Sequence, residues 1–273
     1  MKRRIGLAAL TVLELSPAEQ ITVAAKAGYD FVGLRLIPVE GQPYRHEIDV
    51  AELEGRLVDC GVPVLDVEVF RLAEQTRVAG FEPMMALAAR LRATDLLVHG
   101  ADPDPARLAE TWGRFCDLAG RYGLAANLEP MPWVAVSTVR KAGRILDLAP
   151  RPNAAVLIDA IHFYREDNAL QDLPGTRTRY LQFCDAPAQR PATMDEIRRQ
   201  AREDRLMPGE GGLDLHALLR ALPADRPIAL EIPYAKSMSA LQRARLALEK
   251  TRLFLQSQRD GRKEVASPMK GEK

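Results

Sequence analysis

The sequence predicts an α/β protein folded as a (β/α)₈ TIM barrel. Strand-like and helix-like segments alternate through about 250 residues, the length of one such barrel. The strand segments are short, apolar and without polar alternation, as parallel strands covered on both faces must be. Four of the later ones carry polar residues at or near their C-terminal ends: Asn127-Leu128-Glu129-Pro130, Leu157-Ile158-Asp159-Ala160-Ile161-His162, Leu181-Gln182-Phe183-Cys184-Asp185 and Leu230-Glu231-Ile232-Pro233. An open, doubly wound sheet is the alternative, but no strand is followed by a glycine-rich phosphate loop.

The elements follow in order. Met1-Lys2-Arg3-Arg4 precedes an apolar run at 5–10. Glu14 and Glu19 interrupt the stretch and no small-residue cleavage pattern follows, so it is read as the first strand rather than a signal peptide. Ser16-Pro17-Ala18-Glu19 opens the first helix as a capping box with proline at its first position. Further strands are expected at 31–37, 62–69, 95–99, 124–129, 154–159, 180–185 and 227–232. Helices are expected at 50–60, 82–93, 106–122, 138–148, 194–203, 215–222 and 239–255, with Gly61 and Gly123 at helix C-termini. No linker divides the chain, so 1–257 is expected as one domain, followed by a polar, disordered tail at 258–273.

Composition removes several function classes. The chain has 273 residues, 47% of them apolar, enough for one large core. Its 38 basic and 37 acidic residues leave a formal charge of +1, which gives no electrostatic case for nucleic acid or an anionic membrane. No run of 18 apolar residues exists. Cys60, Cys116 and Cys184 show neither a disulfide framework nor a zinc pattern, so a reducing cytoplasm is the expected location. A homo-oligomer is compatible with all of this.

The four strand ends suggest a metal site. Ionised carboxylates are rarely buried without a partner, and one shared cation would satisfy Glu129, Asp159 and Glu231 together, with Gln182 adding an amide oxygen. Ordinary polar strand ends facing water are the simpler alternative. An all-oxygen set suits Mg²⁺ or Mn²⁺ ahead of Co²⁺ or Zn²⁺. His162, three residues after Asp159, is placed to contact substrate or move a proton, or else to cap a helix. His99, Glu68, Arg71, Trp133 and Arg205 are expected on the same face as substrate contacts, although an internal pair between Arg35 and Glu68 is equally compatible. Cys184 is expected to point away from the site. The segment from Arg205 to Asp214, with Gly209, Gly211 and Gly212, is expected to form a tight turn whose amides close over an anion.

These residues resemble the xylose isomerase-like superfamily of TIM barrels, the sugar phosphate isomerase/epimerase group. The resemblance covers 5–255 and rests on Glu129, the Asp159-x-x-His162 pair, Glu231 and the Pro208-Gly209-Glu210-Gly211 turn. It implies a divalent metal ion and a small polyhydroxy substrate. It also implies proton abstraction beside a metal-bound carbonyl, with Glu129 and Glu231 acting both as ligands and as acid and base. Isomerase or epimerase chemistry is the leading expectation. Gln182 stands where many epimerases have histidine and is similar to what 3-dehydroshikimate dehydratases carry. A lyase on a cyclic hydroxy-keto acid is therefore the alternative, and a non-catalytic binding barrel the third. No extra glutamate follows Glu129 as in several sugar epimerases. Endonuclease IV-like members need more histidines than His46, His99, His162 and His216.

Overall fold

The structure, a computed structural model, describes residues 3–39, 45–234 and 237–265. Its strands are β1 (Ile5–Leu7), β2 (Phe31–Arg35), β3 (Val64–Leu72), β4 (Asp95–Gly100), β5 (Ala125–Glu129), β6 (Ala154–Val156), β7 (Ile158–Asp159), β8 (Leu181–Phe183) and β9 (Ile228–Leu230). Every pairing is parallel, in the order β6-β5-β4-β3-β2-β1-β9-β8-β7. The two ends of this sheet are consecutive in the chain, separated only by Leu157, whose amide donates to the carbonyl of Leu128 at 3.0 Å. β6 and β7 are therefore halves of one strand, and the sheet nearly closes as an eight-stranded TIM barrel.

Helices α1 (Pro17–Ala27), α2 (Val50–Cys60), α3 (Glu82–Arg90), α4 (Pro105–Arg121), α5 (Val139–Leu148), α6 (Ala160–Arg165), α7 (Met194–Glu203), α8 (Leu215–Ala221) and α9 (Ala240–Val265) connect and cover the strands. The capping box at Ser16 and Glu19 forms in both directions. Three expectations shift. The first strand ends at Leu7 because Ala9–Val12 turns into a 3-10 helix. Helix α6 was not anticipated; it begins directly at Asp159, whose side chain caps it. The last helix continues to Val265, beyond the expected end at 255, and the rest of the expected tail, 266–273, lies outside the described residues.

One apolar cluster lies beneath the helices, where Phe70, Phe81 and Phe115 meet edge to face. A second, with Phe31, Leu65, Val69, Leu97, Leu157, Tyr180 and Ala229, comes from the strands and their edges and is the inner layer of the barrel. The seam between first and last strands is sealed by side chains. Thr11 Oγ1 donates to the Leu230 carbonyl at 2.7 Å and accepts from the Ile232 amide at 2.8 Å, and Tyr29 Oη donates to the Ala244 carbonyl at 2.8 Å.

A buried polar group lies towards the N-terminal ends of the strands. Asp66 and Asp95 are register partners. Tyr180 Oη donates to Asp66 at 2.5 Å, while Asp95 accepts from Arg179 at 2.5 Å and from Asn127 at 3.0 Å. Burial, with Glu68 and Asp95 nearby, pushes the Asp66 carboxyl up to about 8 against the Tyr180 hydrogen bond. The native state thus keeps a proton that the unfolded chain releases near pH 4, so this group's contribution to stability is full below pH 4 and is lost as pH rises towards 8. Asp66→Asn should flatten the decline in urea-unfolding free energy between pH 5 and 8 by on the order of a few kcal/mol. Identical pH slopes in the two proteins would contradict this.

Candidate active site

Register brings the site together. Arg35 pairs with Glu68, Arg71 with His99, His99 with Glu129, and Asp159 with Gln182. Glu231 follows β9 directly, two residues beyond Ala229, the register partner of Gln182. Parallel strands in register at their C-terminal ends thus deliver these side chains to one rim.

Helix α6 adds His162. The Asp159 carboxylate accepts from the Ile161 amide at 2.9 Å, and one helical turn returns His162 towards Asp159. His162 Nε2 lies 3.6 Å from Asp159 Oδ2 and 3.9 Å from Glu129 Oε1. Donor atoms of Glu129, Asp159 and His162 all fall within 4.8 Å of one another, and all three residues are buried. The sequence placed His162 as a substrate contact; its geometry puts it equally within reach of a cation shared with the two carboxylates.

Arg205 enters from the loop after α7. Its NH1 donates to Asp159 Oδ2 at 2.8 Å, and its NH2 lies 2.7 Å from Glu231 Oε2. Arg205 is buried and bound to both carboxylates, and it also lines the cavity where the sequence expects a substrate contact. Gln182 Nε2 donates to Glu231 Oε1 at 3.0 Å, which leaves its Oε1 buried without a hydrogen-bond partner. His99 Nε2 lies 2.8 Å from Glu129 Oε2. Glu68 is held by Arg35 at 2.8 Å, the internal pair the sequence allows, and is not among the residues lining the cavity.

Three buried carboxylates thus cluster around one buried guanidinium, which pairs with Asp159 and Glu231, and with all three ionised the cluster would lack two positive charges. The electrostatics follow. Burial and the neighbouring Asp159 and Glu231 push the Glu129 carboxyl well above its ordinary range. Burial raises Glu231 to about 8 in spite of Arg205. Burial would raise Asp159 too, but Arg205 and His162 outweigh it and hold it low. Burial lowers His162 to about 4 and, with the cationic Arg35 close by, lowers His99 well below its usual value, so both imidazoles are neutral at pH 7.

A cavity of about 540 Å³ opens over this cluster, lined among others by Arg71, His99, Glu129, His162, Arg202 and Glu231. Trp133 forms part of its wall, edge-on to His162 at 4.9 Å, and Arg198 and Arg202 lie over its ring at 5.8 and 5.9 Å. Arg202 was not singled out from the sequence; its position on α7, one turn before Arg205, was the signal. Cys184 corrects another expectation. Its Sγ lies 3.6 Å from Arg205 NH1, because two steps along a strand return to the same face. Burial nevertheless pushes its thiol up to about 12, which removes it as a nucleophile.

The description of the family model that matches residues 21–257 is the xylose isomerase-like TIM barrel. The chain belongs to this family. A 3-dehydroshikimate dehydratase of Pseudomonas aeruginosa is 28% identical over 271 residues, covering 88% of this chain and 41% of that protein. The chain thus spans about two fifths of that relative's length. Among solved structures of the same fold, an L-ribulose 3-epimerase superposes with a TM-score of 0.73 at 15% identity, over 99% of this chain and 100% of that one. The IOLI protein with a bound zinc atom superposes with a TM-score of 0.76 at 17% identity, over 93% of this chain and 98% of that one. The donor set fits a divalent cation on its own terms: three buried carboxylates around a single guanidinium, an unsatisfied buried amide oxygen at Gln182, and converging carboxylate and imidazole donors. Among the described residues no helix is long and apolar enough to cross a membrane.

Proposed function

We propose that the protein is a divalent-metal-dependent lyase that dehydrates a cyclic hydroxy-keto acid, as the 3-dehydroshikimate dehydratase relative does by name. The observation that carries this reading is the surplus of guanidinium in the cavity. Arg35 and Arg205 are paired with carboxylates, but Arg71 and Arg202 make no ion pair with a carboxylate among the described residues. A neutral sugar has no use for two such cations, whereas a substrate carboxylate does. The Gln182 amide in place of a histidine agrees with this reading.

Glu129, Asp159, Gln182 and Glu231 would hold the metal ion, with His162 as a further donor in reach. When bound, the ion supplies Lewis-acid polarisation of the substrate carbonyl, and Mn²⁺ or Mg²⁺ suit the mostly oxygen set. Arg71 and Arg202 hold the carboxylate, and Trp133 gives the ring an apolar wall. Glu231, or else Glu129, takes the proton next to the carbonyl; both line the cavity. The electron pair of that C–H bond forms the new C=C bond, the bond to the β-hydroxyl breaks, and the departing oxygen takes a proton and leaves as water. His162, neutral and lining the cavity, is the group to which we assign the relay of that proton.

Isomerase or epimerase chemistry shares the first step, and the two glutamates that both face the cavity favour it. Protein loaded with Mn²⁺ separates the two. Dehydration of 3-dehydroshikimate to an aromatic acid, followed by ultraviolet absorbance, is the expected result. Turnover of L-ribulose or D-allulose with no dehydration would replace the lyase reading by the epimerase one. Arg202→Ala should raise KM for the acid by about tenfold, the loss of one charge-assisted hydrogen bond. An unchanged KM would take Arg202 out of substrate binding.

A further inference from the structure

We propose that Asp185 is a positioning residue that fixes Arg205 between Asp159 and Glu231 by gripping the loop on which Arg205 stands. Asp185 is 2% exposed and lies just beyond β8, three residues after Gln182. Its Oδ1 accepts from the amides of Ala186 at 2.8 Å and Leu213 at 3.2 Å; its Oδ2 accepts from Gly209 and Gly211, both at 3.0 Å. No lysine or arginine makes an ion pair with it among the described residues. The amides that the sequence assigned to a bound anion are therefore engaged by an anion of the chain itself, in the manner of a backbone nest.

The clamp reaches Arg205 directly. Asp185 and Leu206 exchange both backbone hydrogen bonds at 2.8 Å, one residue from Arg205. The Arg205 amide donates to the Pro233 carbonyl at 3.2 Å, and its Nε donates to the Ala201 carbonyl at 2.7 Å. The glycines are required by this wrap. Gly209 has a φ of 89°, and a Cβ on Gly211 would collide with Asp185 Oδ1 and the Ala186 carbonyl. A fixed charge at the centre of a loop holds its backbone in one place. That place sets the only guanidinium shared by Asp159 and Glu231 among the described residues.

The inference rests on reading Asp159 and Glu231 as metal-site residues, and its test is made with Mn²⁺ alone. Arg205 opposes a cation at those carboxylates, so letting it drift should strengthen Mn²⁺ binding even as the site loses order. Asp185→Asn should bind Mn²⁺ about tenfold more tightly in a calorimetric titration. In an Arg205→Met background it should have no further effect, because the two act through one group. Asp214→Ala removes the cap of α8, where Asp214 accepts from the Ala217 amide at 2.9 Å; it should lower Tm and leave Mn²⁺ affinity alone. If Asp185→Asn does not fold, Gly211→Ala displaces the same loop and carries the same expectation. Weaker or unchanged Mn²⁺ binding in the folded loop variants, or equal effects with and without Arg205, would reduce Asp185 to a structural residue and overturn the proposal. Turnover of 3-dehydroshikimate by Asp185→Asn at saturating Mn²⁺ should fall about 10²-fold, as small misplacements in a site do. Absence of turnover in the unaltered protein would count against the lyase reading alone and leave the Mn²⁺ result standing.

Discussion

Glu129→Gln and Glu231→Gln should each bind Mn²⁺ more weakly than the unaltered protein, yet remain slow once excess Mn²⁺ has restored occupancy. Each change keeps an oxygen donor of nearly the same shape and removes both a negative charge and the capacity to take a proton. Positioned acid–base groups contribute about 10²–10⁴-fold to rate, so a deficit of that size at saturating metal is expected for the variant that has lost the base. The measurement is exchange of the proton next to the substrate carbonyl in D₂O, followed by NMR, since exchange reports abstraction even where the later step fails. Glu231 is the preferred base. Its carboxylate lines the cavity at the end of β9, and a bound cation beside it would favour the ionised form that abstraction requires. Undiminished exchange in both variants would leave the glutamates as metal holders and transfer the role to His162, whose imidazole lies within 4 Å of both Glu129 and Asp159.

Arg205→Met should be the most destabilising single substitution in the site. Arg205 is buried and its guanidinium joins Asp159 and Glu231, so its removal strands two buried carboxylates. Breaking a buried ion pair from one side typically costs about 3–5 kcal/mol. The same charge argument predicts a signature that simple loss of packing lacks. The variant should recover much of its unfolding free energy on addition of Mn²⁺, and its Tm should rise more with Mn²⁺ than that of the unaltered protein, because ligand binding to the native state stabilises it by mass action. A Tm loss that Mn²⁺ leaves untouched would show that Arg205 serves packing rather than charge.

Strand–helix alternation made the barrel legible because each strand is buried on both faces, so its apolar run shows in the sequence. Glu129, Asp159, Gln182 and Glu231 were legible for the complementary reason: polar residues closing apolar runs are conspicuous. The 160–165 helix was hidden because it is six residues long and starts on the strand's last residue, which leaves no polar spacer to mark it. The double pairing of Arg205 and the enclosure of Asp185 by amides of 209–213 were equally hidden. Both depend on where a glycine-rich loop folds back, and turn chemistry specifies the bend without specifying its contacts. Glu68 was ambiguous because the sequence gives the register partner Arg35 no direction, and only the pairing of β2 with β3 decides it.

The seam between β1 and β9 has a consequence for how the chain comes to be folded. Synthesis runs from the N-terminus, and β1 meets its second neighbour only when residues 228–230 have been made, more than two hundred positions later. Until then the nascent sheet presents two unpaired parallel edges, and contacts of such sequence separation form slowly and late. Glu231 arrives with that last strand. An incomplete chain therefore carries Glu129 and Asp159 without Arg205's second carboxylate partner, and the proposed metal pocket cannot assemble ahead of the barrel. Capture of a cation by this site would report a finished fold, and a chain stalled before residue 231 should be the state most exposed to edge-to-edge aggregation and to chaperones.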